Sequence, residues 1–202
     1  MNTRPIRELK TERLLLRAWR PEDRAPYAAL NADAEVMQYL LGPMTREKSA
    51  EQIESFQQDF VANEFGRWAV EVPGVSPFIG MVGLSVVPYQ AHFTPAVQIA
   101  WRLARGHWGR GYASEAASAA LAFGFEVAGL REIVAMTVPV NLRSQAVMQK
   151  LGMTQNPADD FDHPSVPARH PLVRHVLYRM TDDDWRRANR PARLPVPRPS
   201  AV

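Results

Sequence analysis

Two hydrophobic periods alternate along the chain, and each change of period marks a new element. "ERLLLRAW" near the N-terminus is a short apolar run of strand type. In "RPEDRAPYAALNADAEVMQYL" apolar residues recur at helical spacing behind acids near the start, which predicts a helix. "TREKSAEQIESFQQDFVANEFG" predicts a second helix, starting from Thr45 and finished before Gly66, with Ile53, Phe56, Phe60 and Val61 on one face. The period then falls to two. "RWAVEV" and "FIGMVGLSVV" read as paired strands joined by "PGVSP". "AVQIAWRL" alternates cleanly, with Val97, Ile99, Trp101 and Leu103 on one face and Gln98, Ala100 and Arg102 on the other.

That strand runs directly into "HWGRGYASEA", residues 107 to 116, and then into a helix expected from Tyr112 to Val127. Ala113, Ala116, Ala117, Ala120, Leu121 and Gly124 form its stripe, small enough to let the helix lie close to a sheet. "REIVAMTV" is the next strand. "PVNLRSQAVMQKLGM" predicts a helix that Asn141 begins and Leu151 ends, with Gly152 as its C-terminal cap. "HVLYRM" is a last strand and "TDDDWRRA" a short helix that Thr181 can cap. Residues 156 to 174, rich in Pro, Asp and His, read as a long loop of the kind that often carries function. The pattern predicts an α+β fold: a mixed, largely antiparallel sheet with helices on both faces.

Composition narrows the chemistry. A length of 202 residues with 46% hydrophobic and 22% charged residues suits one globular domain with a sizeable core. The absence of cysteine removes disulfides, thiol nucleophiles and thiolate metal sites together. No metal-ligand cluster stands out, and none is expected. The N-terminus lacks an apolar core of signal-peptide type, and no run approaches the roughly 18 apolar residues of a membrane span. The expectation is a cytoplasmic protein with no membrane partner. The formal charge of +3 falls to −2 once the five arginines from Arg186 onward are set aside. The basic excess thus sits in a Pro-rich stretch, expected to be a flexible tail over 188–202 behind a single domain over 1–187. The tail has no interleaved aromatics for stacking, which argues against nucleic acid as a partner.

Glycines two apart at the start of a helix suggest a close backbone approach to an anion. A P-loop requires a lysine after the second glycine, and there is none. A dinucleotide fingerprint requires a third glycine where Ser114 stands. What fits is a strand, a glycine turn and a helix whose amides and dipole hold a pyrophosphate without a lysine.

The same residues resemble motif A of the GNAT acyl-CoA N-acyltransferases, written Q/R-x-x-G-x-G/A, in the register Trp108-x-x-Gly111-x-Ala113. Trp108 departs from the first position of the general motif, and the wording is similar to that of the RimJ/RimL-type branch. "LKTERLLLRAWRPEDRAPYAAL", "FIGMVGL", "VNLRSQAVMQKLGM" and "HVLYRMTDDDW" resemble other segments of that branch, in order, over about residues 9 to 187. The resemblance implies an enzyme that moves an acetyl group from acetyl-CoA to an amine, with the acetyl-CoA cleft between splayed central strands. It further implies that Trp101, Arg102 and Leu103 line the pantetheine through their backbone. Trp108, Gly109, Arg110, Gly111, Tyr112, Ala113 and Ser114 would hold the pyrophosphate. Asn141 would bond the CoA arm, and Ser144 would be the candidate general acid for the leaving thiolate.

Two bland alternatives stand beside these roles: Asn141 is a natural N-cap, and Ser144 shares the stripe of Val147, Met148 and Leu151. The branch often has an acid where this chain has Gln98, and an amide cannot take a proton. His92, Asp162, His163 and His170 remain as candidate bases, and His163 is the one selected here. Glu115, in the first helical turn, reads as structural. Trp19, Trp68 and Trp101 read as packing residues. A lysine amine, pKa about 10.4, is neutral about one time in a thousand near neutral pH, at a cost of about 4 kcal/mol. A peptide α-amine, pKa about 8, needs far less help. The missing acid therefore leans toward an α-amine, on a protein terminus or a small molecule. An acyl-CoA sensor without turnover is the alternative, and monomer or homodimer is left open.

Overall fold

The fold is given by a computed structural model that describes residues 6–189. The tail expected over 188–202 lies, from residue 190 on, outside the described residues. The strands are β1 (Leu9–Lys10), β2 (Leu15–Arg17), β3 (Arg67–Val72), β4 (Ser76–Val86), β5 (Val97–Leu103), β6 (Glu132–Thr137), β7 (Thr154–Gln155), β8 (Phe161–Asp162) and β9 (Arg174–Thr181). They form one open sheet in the order β1-β2-β3-β4-β5-β6-β9-β7, with β8 beside β9. Neighbours are antiparallel throughout except β5 and β6. The helices are α1 (Arg24–Ala32), α2 (Ala34–Met37), α3 (Arg46–Asn63), α4 (Tyr112–Ala122), α5 (Leu142–Lys150) and α6 (Asp182–Ala188). None is long and apolar enough to cross a membrane.

Each face of the sheet has its own cover. On one face α4 lays Ala116, Ala117, Ala120 and Leu121 onto Trp68, Val82, Leu84, Ile99 and Ile133. Small residues are needed here because contact is close. After Ala122 the helix widens into a π-turn over Phe123–Val127. A Cβ on Gly124 would meet Ile133 Cδ1 at 2.7 Å and Leu84 Cδ1 at 3.0 Å. On the other face α1 and α3 bring Tyr27, Leu30, Ile53 and Phe56 against Trp19, Ala69, Phe78 and Met81. Beyond β5 that second face is covered instead by Val87, Phe93 and Phe161, packed on Val134 and Leu177.

Three details differ from the sequence expectation. Val61 is exposed rather than part of the α3 stripe. At about 100° per residue it lies about 80° from Ile53 and about 140° from Phe56, outside the buried arc. The first predicted helix is broken at Asp33, whose carboxylate accepts from the amides of Glu35 and Val36 and so starts α2 as a new helix. The segment 156–174 is not all loop. Phe161 is buried beneath it, and β8 pairs with β9 at Phe161↔His175 and Asp162↔Arg174.

Arg17 fastens β2 to the rest. It is 1% exposed. Its guanidinium donates to both carboxylate oxygens of Asp23 at 2.7 and 2.9 Å, to Glu71 at 2.7 Å, and to the carbonyls of Ala18 and Pro77. Removing Asp23 takes the bidentate partner from a buried guanidinium and leaves Glu71 as its remaining carboxylate among the described residues. Asp23→Ala is therefore expected to lower the free energy of unfolding by about 3–5 kcal/mol, measured by denaturant titration.

Candidate active site

The parallel neighbours β5 and β6 meet at a single register, Gln98↔Val134. On its other side β5 is paired with β4 at every residue from Val97 to Leu103. From Ile99 onward β5 thus has no strand on its β6 edge, and the two strands open into a wedge. Backbone groups on an unpaired edge inside a sheet need a partner. Trp101 packs toward the α4 face and Leu103 is buried there, whereas the Arg102 side chain projects to the opposite face. The Leu103 carbonyl already accepts from Trp108 Nε1 at 2.8 Å.

The wedge opens toward the glycine turn. Gly109 and Gly111 hold φ of 72° and 80°, a region that costs other residues about 1–2 kcal/mol. A Cβ on Gly109 would meet no protein atom within 4 Å, so backbone angle and not crowding demands glycine here. Among the described residues no acceptor takes the amides from Gly109 to Ser114; the first helical bond is Glu115 N–H to the Gly111 carbonyl, at 3.0 Å. These amides stand at the positive end of α4, an arrangement suited to a pyrophosphate. Glu115 does not compete for it. Its carboxylate is occupied by Thr11 Oγ1 at 2.6 Å, Arg13 N at 2.9 Å and Arg13 Nε at 2.7 Å. Burial opposes its charge, but those bonds prevail and hold its pKa below the usual range. His107 Nδ1 is buried beside the turn without a partner among the described residues, and burial together with Arg110 lowers the pKa of its ring.

Trp108 and Arg143 close one side. The Arg143 guanidinium lies 4.7 Å from the Trp108 ring centroid and 3.8 Å from Glu35, which Arg105 holds at 2.8 Å. Asn141 stands beyond the end of β6. Its Oδ1 accepts from Ser144 N–H at 3.2 Å and its Nδ2 donates to Thr137 Oγ1 at 2.9 Å. The N-cap is therefore real, and it ties the first turn of α5 to Thr137 at the end of β6. Ser144 is half-buried, and its hydroxyl has no partner among the described residues.

On the face opposite α4, Gln98 and Ala100 belong to neither flanking cluster and remain half-exposed. His163 lies on the wall beyond β6. Its ring is 4.5 Å from Tyr89 and 4.9 Å from His175, and Tyr89 Oη reaches Met136 Sδ at 2.8 Å. Burial pushes the Tyr89 hydroxyl up to about 12. Burial, then His175, lowers the His163 pKa, so its ring is neutral near pH 7. Its Nδ1 accepts from Ser165 N–H at 3.2 Å, which places the hydrogen on Nε2. Taking a proton in this geometry requires that bond to break. The other candidates are engaged elsewhere: His92 near Asp159 at 3.8 Å, Asp162 with Arg174 at 3.3 Å, and His170 Nδ1 with Leu172 N–H at 3.1 Å. The sequence reading does not include Tyr89, Asn31, Gln52 or Arg67. Strand alternation placed Arg102 on a polar face, but no spacing links it to Asn31, 71 residues earlier.

Comparison with known proteins agrees with this geometry. The family described as Acetyltransferase (GNAT) domain matches residues 13–154. The uncharacterized protein YkkB of Bacillus subtilis is 32% identical over 147 residues, 72% of this chain and 84% of the relative. The FsC-acetyl coenzyme A-N(2)-transacetylase of Aspergillus fumigatus is 29% identical over 193 residues, 91% of this chain and 80% of that protein. The GNAT-family acetyltransferase structure from Bacillus anthracis superposes with a TM-score of 0.71 at 25% identity, covering 88% of this chain and 99% of its own.

Because Gly109 faces open space, Gly109→Val is expected to keep the far-ultraviolet circular dichroism of the parent while losing about 1–2 kcal/mol of stability. Its affinity for acetyl-CoA in calorimetry is expected to fall at least tenfold; an unchanged affinity would remove the turn from phosphate binding.

Proposed function

The chain belongs to the GNAT acetyltransferase family, and from that premise we propose that it carries the acetyl group of acetyl-CoA directly to a primary amine within a ternary complex. GNAT acetyltransferases use acetyl-CoA. The observation that carries the reading is the wedge between β5 and β6, continuous with the unbonded amides from Gly109 to Ser114. Pantetheine completes the open edge of β5 along Trp101, Arg102 and Leu103. The pyrophosphate sits on the amides of Gly109, Arg110, Gly111, Tyr112, Ala113 and Ser114, beside Trp108. Asn141 borders the CoA arm on the β6 side. The Aspergillus relative, named for acetyl coenzyme A and an N(2) acceptor, supports both the donor and the transfer to nitrogen. The wording of residues 107 to 116, similar to that of the RimJ/RimL-type branch, supports the assignment to that branch.

The neutral amine adds to the thioester carbonyl, the C–S bond breaks, the amine gives up a proton and the thiolate takes one. Ser144 is assigned the last step, because its half-buried hydroxyl has no partner among the described residues and it lies in the first turn of α5, which Asn141 caps just beyond β6. No carboxylate occupies the position of Gln98, and the histidine at 163 holds its proton on Nε2. A low-pKa amine that sheds its proton through water suits such a site, which favours an α-amine over a lysine side chain.

The test is release of the CoA thiol from acetyl-CoA across amino acids, peptides, polyamines and aminoglycosides. Ser144→Ala is expected to lower kcat about 100-fold while leaving acetyl-CoA affinity intact. An unchanged kcat would remove Ser144 from proton transfer. Acetyl-CoA binding without release by any amine would overturn the transfer reading in favour of an acyl-CoA sensor.

A further inference from the structure

Among the described residues Arg17, Arg67 and Arg102 reach toward the interior, and they are treated differently. Arg17 is saturated by Asp23, Glu71 and two carbonyls. Arg102 has no carboxylate partner among the described residues. Its Nη1 alone is held, by neutral oxygens: Asn31 Oδ1 at 2.6 Å, Gln52 Oε1 at 3.4 Å and Tyr27 Oη at 3.5 Å. Nε and Nη2 have no partner among the described residues. Those two N–H groups form the side-on edge of a guanidinium, the edge that grips both oxygens of a carboxylate.

Arg67 is the second cation of the group. It donates to Ser85 Oγ, meets Asp59 only at 3.5 Å, and lies 4.9 Å from the Phe56 ring centroid. Burial lowers the pKa of Arg102 and, above all other influences, that of Arg67, which the charge on Arg102 lowers further. Burial also raises the pKa of Asp59 more than Arg67 can lower it, so this acid is a weak counterion. A desolvated cation without a counterion costs several kcal/mol. A packing role for Arg102 would be met as well by an apolar side chain.

The surroundings hold this unsatisfied edge in place. Asn31 is 0% exposed, and its Nδ2 donates to Ser49 Oγ at 3.0 Å. Ser49 Oγ in turn donates to the Thr45 carbonyl at 2.9 Å. This chain of bonds turns the Asn31 oxygen toward Arg102 and makes Asn31 a positioning residue. Arg102 shares its strand face with Ala100 and Gln98, so its edge borders the same half-exposed strip of β5 that runs to the parting from β6.

We infer that Arg102, supported by Arg67, seats a carboxylate of the acceptor, so that the amine acetylated here carries an acid group. The inference rests on the acyl-transfer reading for calling the ligand an acceptor. The carboxylate has two sources, the free terminus of an amino acid or an acidic residue next to a peptide N-terminus. Polyamines and aminoglycosides, being cations, are rejected by the same charge.

The experiment pairs turnover with binding. Turnover compares L-amino acids with their own carboxamides, peptides beginning Ala-Asp with peptides beginning Ala-Asn, and spermidine. Binding compares N-acetyl-L-amino acids with their carboxamides by calorimetry, with CoA present. Acids are expected to exceed their amides at least tenfold in kcat/KM or in affinity. Arg102→Met is expected to erase that ratio without lowering the melting temperature, and Arg102→Lys to restore part of it. Preference confined to the Ala-Asp peptide identifies the acidic peptide as the source and supports the seat. Turnover that ignores the carboxylate, or is best with spermidine, overturns the seat and leaves the acetyltransferase standing. Acid-selective binding that Arg102→Met abolishes, without CoA release by any amine, keeps the seat and overturns the transfer. A ratio unchanged in Arg102→Met overturns the assignment to Arg102.

Discussion

The parting of β5 from β6 is the constraint on which the rest of the molecule turns. Each strand is fully occupied on its far side, β5 by β4 and β6 by β9, and the two pair only at Gln98 and Val134. An open edge in the middle of a sheet leaves polar backbone groups without partners, which a fold tolerates where something else supplies the hydrogen bonds. The halves do not drift apart because α4 and its π-turn bridge them from one side. Leu84 and Ile133, from opposite halves, both press against the space that Gly124 leaves empty.

The same helix supplies the charge at the mouth of the wedge. A helix N-terminus is a weak anion site by itself, and an acid in its first turn weakens it further. Here that acid, Glu115, is committed to Thr11 and Arg13, which ties the N-terminal strand to the turn and leaves the amides free. Across the mouth, Glu35 from α2 gathers Arg105 and Arg143, and Arg143 rests on Trp108. Three separate parts of the chain thereby fix the entrance. Exposed ion pairs of this kind add little stability each, so their contribution is to position.

Buried charge divides the molecule into structural and functional arginines. Arg17 is enclosed by acids and carbonyls and holds β2 in place. Arg102 is enclosed by amide and phenol oxygens that orient it without neutralising it. Both sit in poorly solvated surroundings, and only the first has its charge balanced by the fold. The difference lies on the face of β5 away from α4, where the helical cover of α1 and α3 ends and the cluster of Phe93 and Phe161 begins.

Local patterns settled much of this from the sequence. Helical and strand periods placed α3, α4, α5 and the strands β3 to β6 because each buries one continuous stripe. The caps at Thr45, Asn141 and Thr181 were legible because a short polar side chain before an apolar run serves few other ends. The paired glycines marked the turn because only glycine holds φ near +75° without strain. What the sequence by itself determined was thus whatever depends on neighbours within a few residues. Tertiary structure alone decided the single pairing, Gln98↔Val134, at which the parallel β5 and β6 meet; that the central strands splay was expected from the family resemblance and from no local period, since a sheet edge is defined by strands distant in the chain. Tertiary structure alone left Val61 in solvent, paired β8 with β9 so that Phe161 is buried, and set Asn31 and Gln52 around Arg102. Whether a buried cation meets an acid or an amide depends on which helix is packed over its strand, and no local period records that choice.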